Sequence, residues 1–202
     1  ARDDEYLQQA FETLRRRHPR MDFRMVGCDL TRDDANEYMA YIDAATRDID
    51  VPLVFLSASV HAPGGQFHAT PLSDHLACMS CNAISSCRIA HHFLPLMYAS
   101  NQPGLLCFFS SAAAFMPSPS DALYAATRAF SSHLAASLAA EALPHGVDVV
   151  AMHPHDGDPP EFVLRRTLRH IGCGQVLADL GLLSVLMRLA TKLVDTNVLA
   201  LT

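Results

Sequence analysis

The sequence predicts an α/β fold with a parallel sheet, and three observations carry that prediction. Short apolar runs alternate with stretches of helical periodicity along the whole chain, the pattern of strand–helix–strand units. Half of the 202 residues are hydrophobic and 18% are charged, the balance of a folded domain and not of a disordered one. Neither an internal repeat nor a low-complexity linker interrupts the chain, so residues 1–202 read as one domain with a sizeable core.

Each element has its own signal. Residues 4–18 have helical composition, with Tyr6, Leu7, Ala10, Phe11 and Leu14 recurring at helical spacing. Residues 21–27 (MDFRMVG) read as a strand, and Thr31 is placed to cap a helix over 32–47. Residues 53–56 make a short buried strand, followed by a loop at 62–66 (APGGQ). Ser73 is placed to cap a long helix reaching Met97, residues 104–109 form a buried strand, and residues 121–143 form a second long helix. Residues 147–152 read as another strand, ended by the proline-containing loop 154–160. A helix over 160–171, a short strand over 175–178 and an apolar helix over 182–194 complete the series. The small and apolar stripes of the two long helices read as core or subunit interface, with Ala125, Ala129, Leu134, Ala135 and Leu138 suited to close packing.

Charge and composition exclude several classes. A formal net charge of −6 and a pI near 6.0 argue against a nucleic-acid surface, which needs a positive field. The short clusters Arg15-Arg16-Arg17 and Arg165-Arg166 read as solvated helix faces. No run of about 18 uninterrupted apolar residues occurs, so no transmembrane helix is predicted. The longest candidate, 180–194, is crossed by Arg188 and Lys192. The opening ARDDEY does not have the pattern of a signal peptide. Cys28, Cys78, Cys81, Cys87, Cys107 and Cys173 lie in apolar contexts without framework spacing. They suit reduced thiols, and so a reducing compartment such as cytoplasm or an organelle matrix. Cys78, Cys81, Cys87 and His91 invite a zinc site, but on one helix the first two share a face and the other two point nearly opposite, so no metal is expected.

The stretch SSAAAFMPSPSDALYAATR (110–128) carries a possible chemistry. Tyr124 and Arg128, four apart at the start of a helix, share one face. Ser111 lies just past a buried strand, at the carboxyl edge where open parallel sheets bind ligands. A tyrosine acts as a general acid towards a carbonyl when a nearby cation lowers its pKa from about 10. A serine hydroxyl beside it can hold the substrate oxygen. Alone the spacing is a weak signal, because serine and tyrosine are common.

The surrounding text is specific. FFSSAAAFMPSPSDALYAATRAFSSHLAASLAAEALPHGVDVVAMHP (108–154) resembles the active-site strand, helix and following strand of the short-chain dehydrogenase/reductase family. DDEYLQQAFETLRRRHP (3–19) looks like that family's helix after its second strand, MVGCDLT (25–31) like the end of its third strand, and CNAIS (81–85) like the site of its structural asparagine. GQVLADLGLLSVLMRLATKLV (174–194) resembles the tail of the ketoacyl- and hydroxysteroid-reductase-like branch, so the resemblance covers essentially the whole chain. It implies a Rossmann-like doubly wound parallel sheet of strand order 3-2-1-4-5-6-7. It also implies Tyr124 as general acid, Ser111 as carbonyl anchor, Asn82 as proton-relay residue and Arg128 in the place of the family's lysine. Asp29 and Leu30 would lie near the adenine, Arg2 near a 2′-phosphate, and Ser57 and Pro154 at cofactor-contacting positions.

Four departures from the family pattern bear on activity. The first strand-helix-strand unit, with its glycine-rich turn, has no counterpart here, and G-x-x-x-G-x-G occurs nowhere. Residues 57–60 read Ser-Ala-Ser-Val where the family writes Asn-Asn-Ala-Gly. Pro154-His155 replaces Pro-Gly. Arg128 replaces a lysine that, in the family, binds the ribose and lowers the tyrosine pKa; Arg keeps the charge but is longer and planar. This last change is softened by a global bias, since only Lys192 among the fifteen basic residues is lysine. The missing strands would leave a gap roughly 10 Å wide. Residues outside this sequence, or another chain, are expected to fill it; the other solution is strand 21–27 sliding over to pair with 53–56.

The primary expectation is a degenerate, non-catalytic family member, an assembly subunit that binds no cofactor by itself. It would meet protein partners, as a homo-oligomer or in a larger complex, through the helices 73–97 and 121–143. The alternative is an active NADP-dependent ketone, ketoacyl or hydroxysteroid oxidoreductase whose nucleotide-binding start lies outside this sequence. A third expectation is peripheral contact of the last apolar helix with a membrane.

Overall fold

The structure, a computed structural model, describes residues 4–32, 35–155 and 157–193. Four strands form one parallel sheet in sequence order: β1 (Leu53–Leu56), β2 (Gly104–Phe109), β3 (Val147–His153) and β4 (Leu177–Asp179). Leu53 lies beside Leu105, Leu106 beside Val149 and Met152 beside Ala178. The helices are α1 (Glu5–Arg17), α2 (Ala35–Thr46), α3 (Leu72–Met79), α4 (Ser85–Ser100), α5 (Ala122–Ala142), α6 (Pro160–His170) and α7 (Leu182–Leu193). The strand–helix–strand alternation read from the sequence is therefore the alternation of the fold.

Both faces of the central strands are covered, which is why β2 and β3 are apolar at every position but a few. Val54, Leu56, Leu106, Phe108, Val149 and Ala151 pack against Ala90, Phe93, Leu94 and Met97 of α4 and Ala135 and Ala142 of α5. Leu105, Cys107, Val150 and Met152 face the other way, against Phe162 and Val163 of α6. Burying each of the larger side chains contributes about 2–3 kcal/mol. Burial also pushes the Cys107 thiol up to about 12, so it behaves as a small hydrophobe. Gly104 opens β2 where a Cβ would come within 3.2 Å of Val147 Cγ2 and 3.4 Å of the Pro52 carbonyl, so a side chain there would push β2 from its neighbour.

The sheet ends at β1 on one side and at β4 on the other. The outward-facing Leu53 and Phe55 of β1 are exposed, and among the described residues β1 pairs with β2 alone. Residues 21–27, expected as a strand, run as irregular backbone, and among the described residues they pair with no strand and do not slide over to β1. A strand needs a neighbouring strand for its N–H and C=O groups. Arg24 instead ties the segment to the end of α2, through Asp48 and the Ala45 carbonyl at 2.7 Å.

Several element boundaries also move. Thr31 caps no helix: its N–H and hydroxyl both donate to Asp29 Oδ1, at 3.0 and 2.7 Å, and α2 begins at Ala35. Pro71, not Ser73, precedes α3. The expected single helix over 73–97 is interrupted by a π-helical turn, Ser80–Ile84, between α3 and α4. The last helix inverts its apolar pattern. α7 buries Ser184 and exposes Leu182, Leu186, Leu189 and Leu193, while Arg188 Nε donates to Asp179 Oδ2 at 2.9 Å. Among the described residues no helix is long and apolar enough to cross a membrane.

Candidate active site

The carboxyl ends of β1, β2 and β3 bring three of the sequence-picked residues together around the first turns of α5. Ser111 follows β2 and stands at the head of a 3-10 turn, Ala112–Phe115, that packs on α5. Its hydroxyl oxygen accepts the Ala113 N–H at 3.2 Å, leaving the O–H proton to point elsewhere. Tyr124 is the third residue of α5 and Arg128 lies one turn on; both are buried. A cavity of about 240 Å³ opens beside Tyr124, lined by Gly65, Phe67, His75 and Asp121 among others.

The π turn explains how Asn82 reaches this cluster. An inserted residue rotates the following side chain off the regular helix face, and π turns recur at functional sites for that reason. Asn82 Oδ1 accepts the Val60 N–H at 2.8 Å and Asn82 Nδ2 donates to the Val60 carbonyl at 2.8 Å. The same Nδ2 lies 3.1 Å from Thr127 Oγ1, and Thr127 donates to the Tyr124 carbonyl at 2.7 Å. A hydrogen-bonded path therefore runs from the loop after β1, through Asn82, to the backbone of Tyr124.

Arg128 occupies the site in its own manner. Its guanidinium carbon lies 4.9 Å from the centroid of the Tyr124 ring, over the ring face. Nη1 donates to the Phe109 carbonyl at 3.0 Å and Nη2 to the Ser59 hydroxyl, while Nε is buried without a partner. The His61 ring stacks on Tyr124, with centroids 3.5 Å apart and planes at 25°. A cation thus reaches the tyrosine by its face, and a shorter, pointlike ammonium could not hold the same three contacts.

The remaining sequence-picked residues lie around this centre. Ser57 is exposed just past β1. Pro154 follows β3 and its carbonyl accepts the Ala112 N–H at 3.0 Å, which fixes the start of the 3-10 turn beside Ser111. Asp29 and Leu30 are half-buried, and the charge of the Asp29 carboxylate is felt at Cys81. Burial is the main force raising that thiol, Arg128 opposes it, and Asp29 adds to the rise. Arg2 lies outside the described residues. Sequence reading missed Ser59, His61, Thr127 and the inner serine Ser110; only the tertiary fold brings them to Arg128, Tyr124 and Asn82, and no spacing along the chain announces it.

Residues 1–160 match the sequence profile of the short chain dehydrogenase family. A very-long-chain 3-oxoacyl-CoA reductase of Podospora anserina is 26% identical over 158 residues, 74% of this chain and 44% of that protein. A 7beta-hydroxysteroid dehydrogenase of Mediterraneibacter gnavus is 26% identical over 148 residues, 73% of this chain and 54% of that protein. The chain thus spans about half the length of the curated relatives it matches. Among solved structures, a 7beta-hydroxysteroid dehydrogenase superposes with a TM-score of 0.86 at 21% identity, over 98% of this chain and 82% of the other. A short-chain dehydrogenase from Sphingobium yanoikuyae in complex with NADPH superposes with a TM-score of 0.78 at 21% identity, over 90% and 76%. The profile match, the parallel sheet and the likeness to these oxidoreductases have one reading: this chain belongs to the short-chain dehydrogenase family.

Proposed function

We propose that the chain carries the catalytic part of an NADP-dependent carbonyl oxidoreductase acting on a ketone, a ketoacyl group or a hydroxysteroid. The observation that carries the reading is the convergence of Ser111, Tyr124 and Asn82 at one sheet edge, with Asn82 delivered there by a π turn. An oxidoreductase accounts for that convergence better than the non-catalytic expectation does, and the relatives named above are oxidoreductases.

The residues at the sheet edge fit a dinucleotide in part. Ser57 and Ser59 leave the end of β1 polar and exposed; by the family resemblance Pro154 would meet the nicotinamide end of the cofactor, and Asp29 and Leu30 its adenine. Arg128 is engaged with the Phe109 carbonyl and Ser59, so its part is towards Tyr124 and not towards a ribose. A bound NADPH would supply a hydride to the carbonyl carbon. The Ser111 O–H then holds the carbonyl oxygen by donation, and the Tyr124 phenol gives that oxygen its proton. Arg128 sets its guanidinium over the face of the Tyr124 ring. Asn82 and Thr127 hold the turn that carries the phenol.

The non-catalytic reading keeps one specific observation in its favour: His61 covers one Tyr124 ring face and Arg128 has both terminal nitrogens engaged. Calorimetric titration of the natural full-length protein with NADPH and NADH separates the two. Binding in roughly the micromolar range supports the oxidoreductase, and no heat with either nucleotide overturns it.

Contact with protein partners is proposed through α3–α4 and α5, where Leu76, Met79, Leu96 and Phe130 are exposed. Light scattering on Phe130→Asp tests it, with loss of the assembled species as the expected result. Peripheral lipid contact through the exposed leucines of α7 is a separate proposal, tested by vesicle co-sedimentation.

A further inference from the structure

We propose that His153 is a positioning residue for Arg128, acting through the hydroxyls of Ser132 and Ser110. This rests on the oxidoreductase reading for its catalytic consequence, but not for its structural one.

The groups form a continuous buried chain. His153 closes β3 and is fully buried beneath α5, with Phe115 against its ring at 4.6 Å. His153 Nε2 lies 2.9 Å from Ser132 Oγ, and Ser132 Oγ lies 2.8 Å from Ser110 Oγ. Both hydroxyls reach the Arg128 carbonyl, Ser110 at 2.8 Å and Ser132 at 3.0 Å. On its other side His153 Nδ1 faces Asp179 Oδ1 at 3.8 Å, and Asp179 Oδ2 accepts from Arg188 of α7.

Each hydroxyl has one proton to give, and one arrangement serves the whole chain: His153 Nε2–H donates to Ser132, Ser132 to Ser110, and Ser110 to the Arg128 carbonyl. Asp179 Oδ1, 3.8 Å from Nδ1, stands beside the ring beyond hydrogen-bond distance. The result matches the arrangement at the other end of the same helical turn, where Thr127 and Asn82 hold the Tyr124 carbonyl. The turn from Tyr124 to Arg128 is gripped at both ends, once from the loop after β1 and once from the end of β3. Beside that second grip, Asp179 is ion-paired with Arg188 of α7.

Two variants of the full-length protein separate positioning from simple support. His153→Leu removes the donor to Ser132; His153→Gln returns an amide N–H near the Nε2 position. With carbonyl substrate, His153→Leu is expected to lower kcat at least about tenfold with the nucleotide KM changed less than about twofold, since small misplacements of reacting groups are costly. His153→Gln is expected to recover kcat to within about threefold. The ring-current shift that Tyr124 imposes on the Arg128 side-chain NMR resonance, assigned against Arg128→Met, gives a second readout that needs no turnover. It should change in His153→Leu and return in His153→Gln. Lowered thermal stability in His153→Leu with an unchanged Arg128 resonance and kcat would overturn the positioning role. A wild-type protein with no turnover would overturn the oxidoreductase reading alone, and the Arg128 resonance would still decide this one.

Discussion

Asn82 and Val60 close a two-bond ring: the Val60 N–H donates to Oδ1 and Nδ2 returns a bond to the Val60 carbonyl, each at 2.8 Å. A side-chain amide is the one group that can do both, since it carries an acceptor and a donor side by side. The ring ties the loop after β1 to the π turn, and through Thr127 to Tyr124.

Asn82→Ala is expected to destabilise the protein by about 1–3 kcal/mol, because it leaves the Val60 N–H without its partner and the Val60 carbonyl with only the weak Cys78 thiol donor. Asn82→Asp should also be unfavourable above the carboxyl pKa, where it can accept from the N–H but repels the carbonyl. Urea unfolding of both variants beside the wild type checks this. An Asn82→Ala change below about 0.5 kcal/mol contradicts it.

Arg128→Met keeps the apolar stem and deletes the donors to the Phe109 carbonyl and Ser59. The expected loss is about 2–4 kcal/mol, with Arg128→Lys between the two. Urea unfolding of both variants beside the wild type checks this, and an Arg128→Met loss below about 0.5 kcal/mol contradicts it.

Burial pushes His153 down to about 4 from its ordinary 6.5, Ala178 backbone contact opposes the fall, and Arg188 adds to it. Between these two pH values the unfolded chain binds the proton and the folded protein does not. Stability therefore falls as pH is lowered from about 6.5 to 4, by about 3 kcal/mol from this group. Asp179, raised by burial against the pull of Arg188, titrates in the opposite sense. The difference between wild type and His153→Gln across that window isolates the histidine: the variant should lose this part of the pH dependence.

Ser120 sits in the left-handed region at φ 71°, just before α5, with its carbonyl accepting the Gly65 N–H at 3.0 Å. A side chain there is strained, so Ser120→Gly is expected to raise stability by about 0.5–1 kcal/mol. Thermal unfolding checks the sign.

What the sequence made legible follows from what is periodic or local. The core strands, the long helix α5 and the Tyr124–Arg128 pair on one of its faces are local patterns, and the structure keeps them, while it divides the helix expected over 73–97 at the π turn. Residues 21–27 misled because a strand is a property of a pair: their alternation suits a sheet, yet no neighbour meets their backbone. The π turn at Asn82 was invisible, since one inserted residue leaves no mark in the composition of an apolar helix. Ser110, Ser132 and His153 lie on three different elements, and their hydrogen-bonded chain exists only after folding. The outward leucines of α7 show the opposite limit, a clear apolar stripe whose facing periodicity cannot decide.

The central claim is that Tyr124, beneath Arg128 at the start of α5, is a working general acid. Its most direct test is NADPH-dependent turnover of a ketone, a 3-oxoacyl thioester and a hydroxysteroid's keto form by the natural full-length protein, beside Tyr124→Phe. The account predicts turnover of at least one of these carbonyls, reduced at least about a hundredfold in Tyr124→Phe while NADPH affinity is kept. Turnover that survives the loss of the phenol, or no turnover of any carbonyl by a protein that binds NADPH, would contradict it.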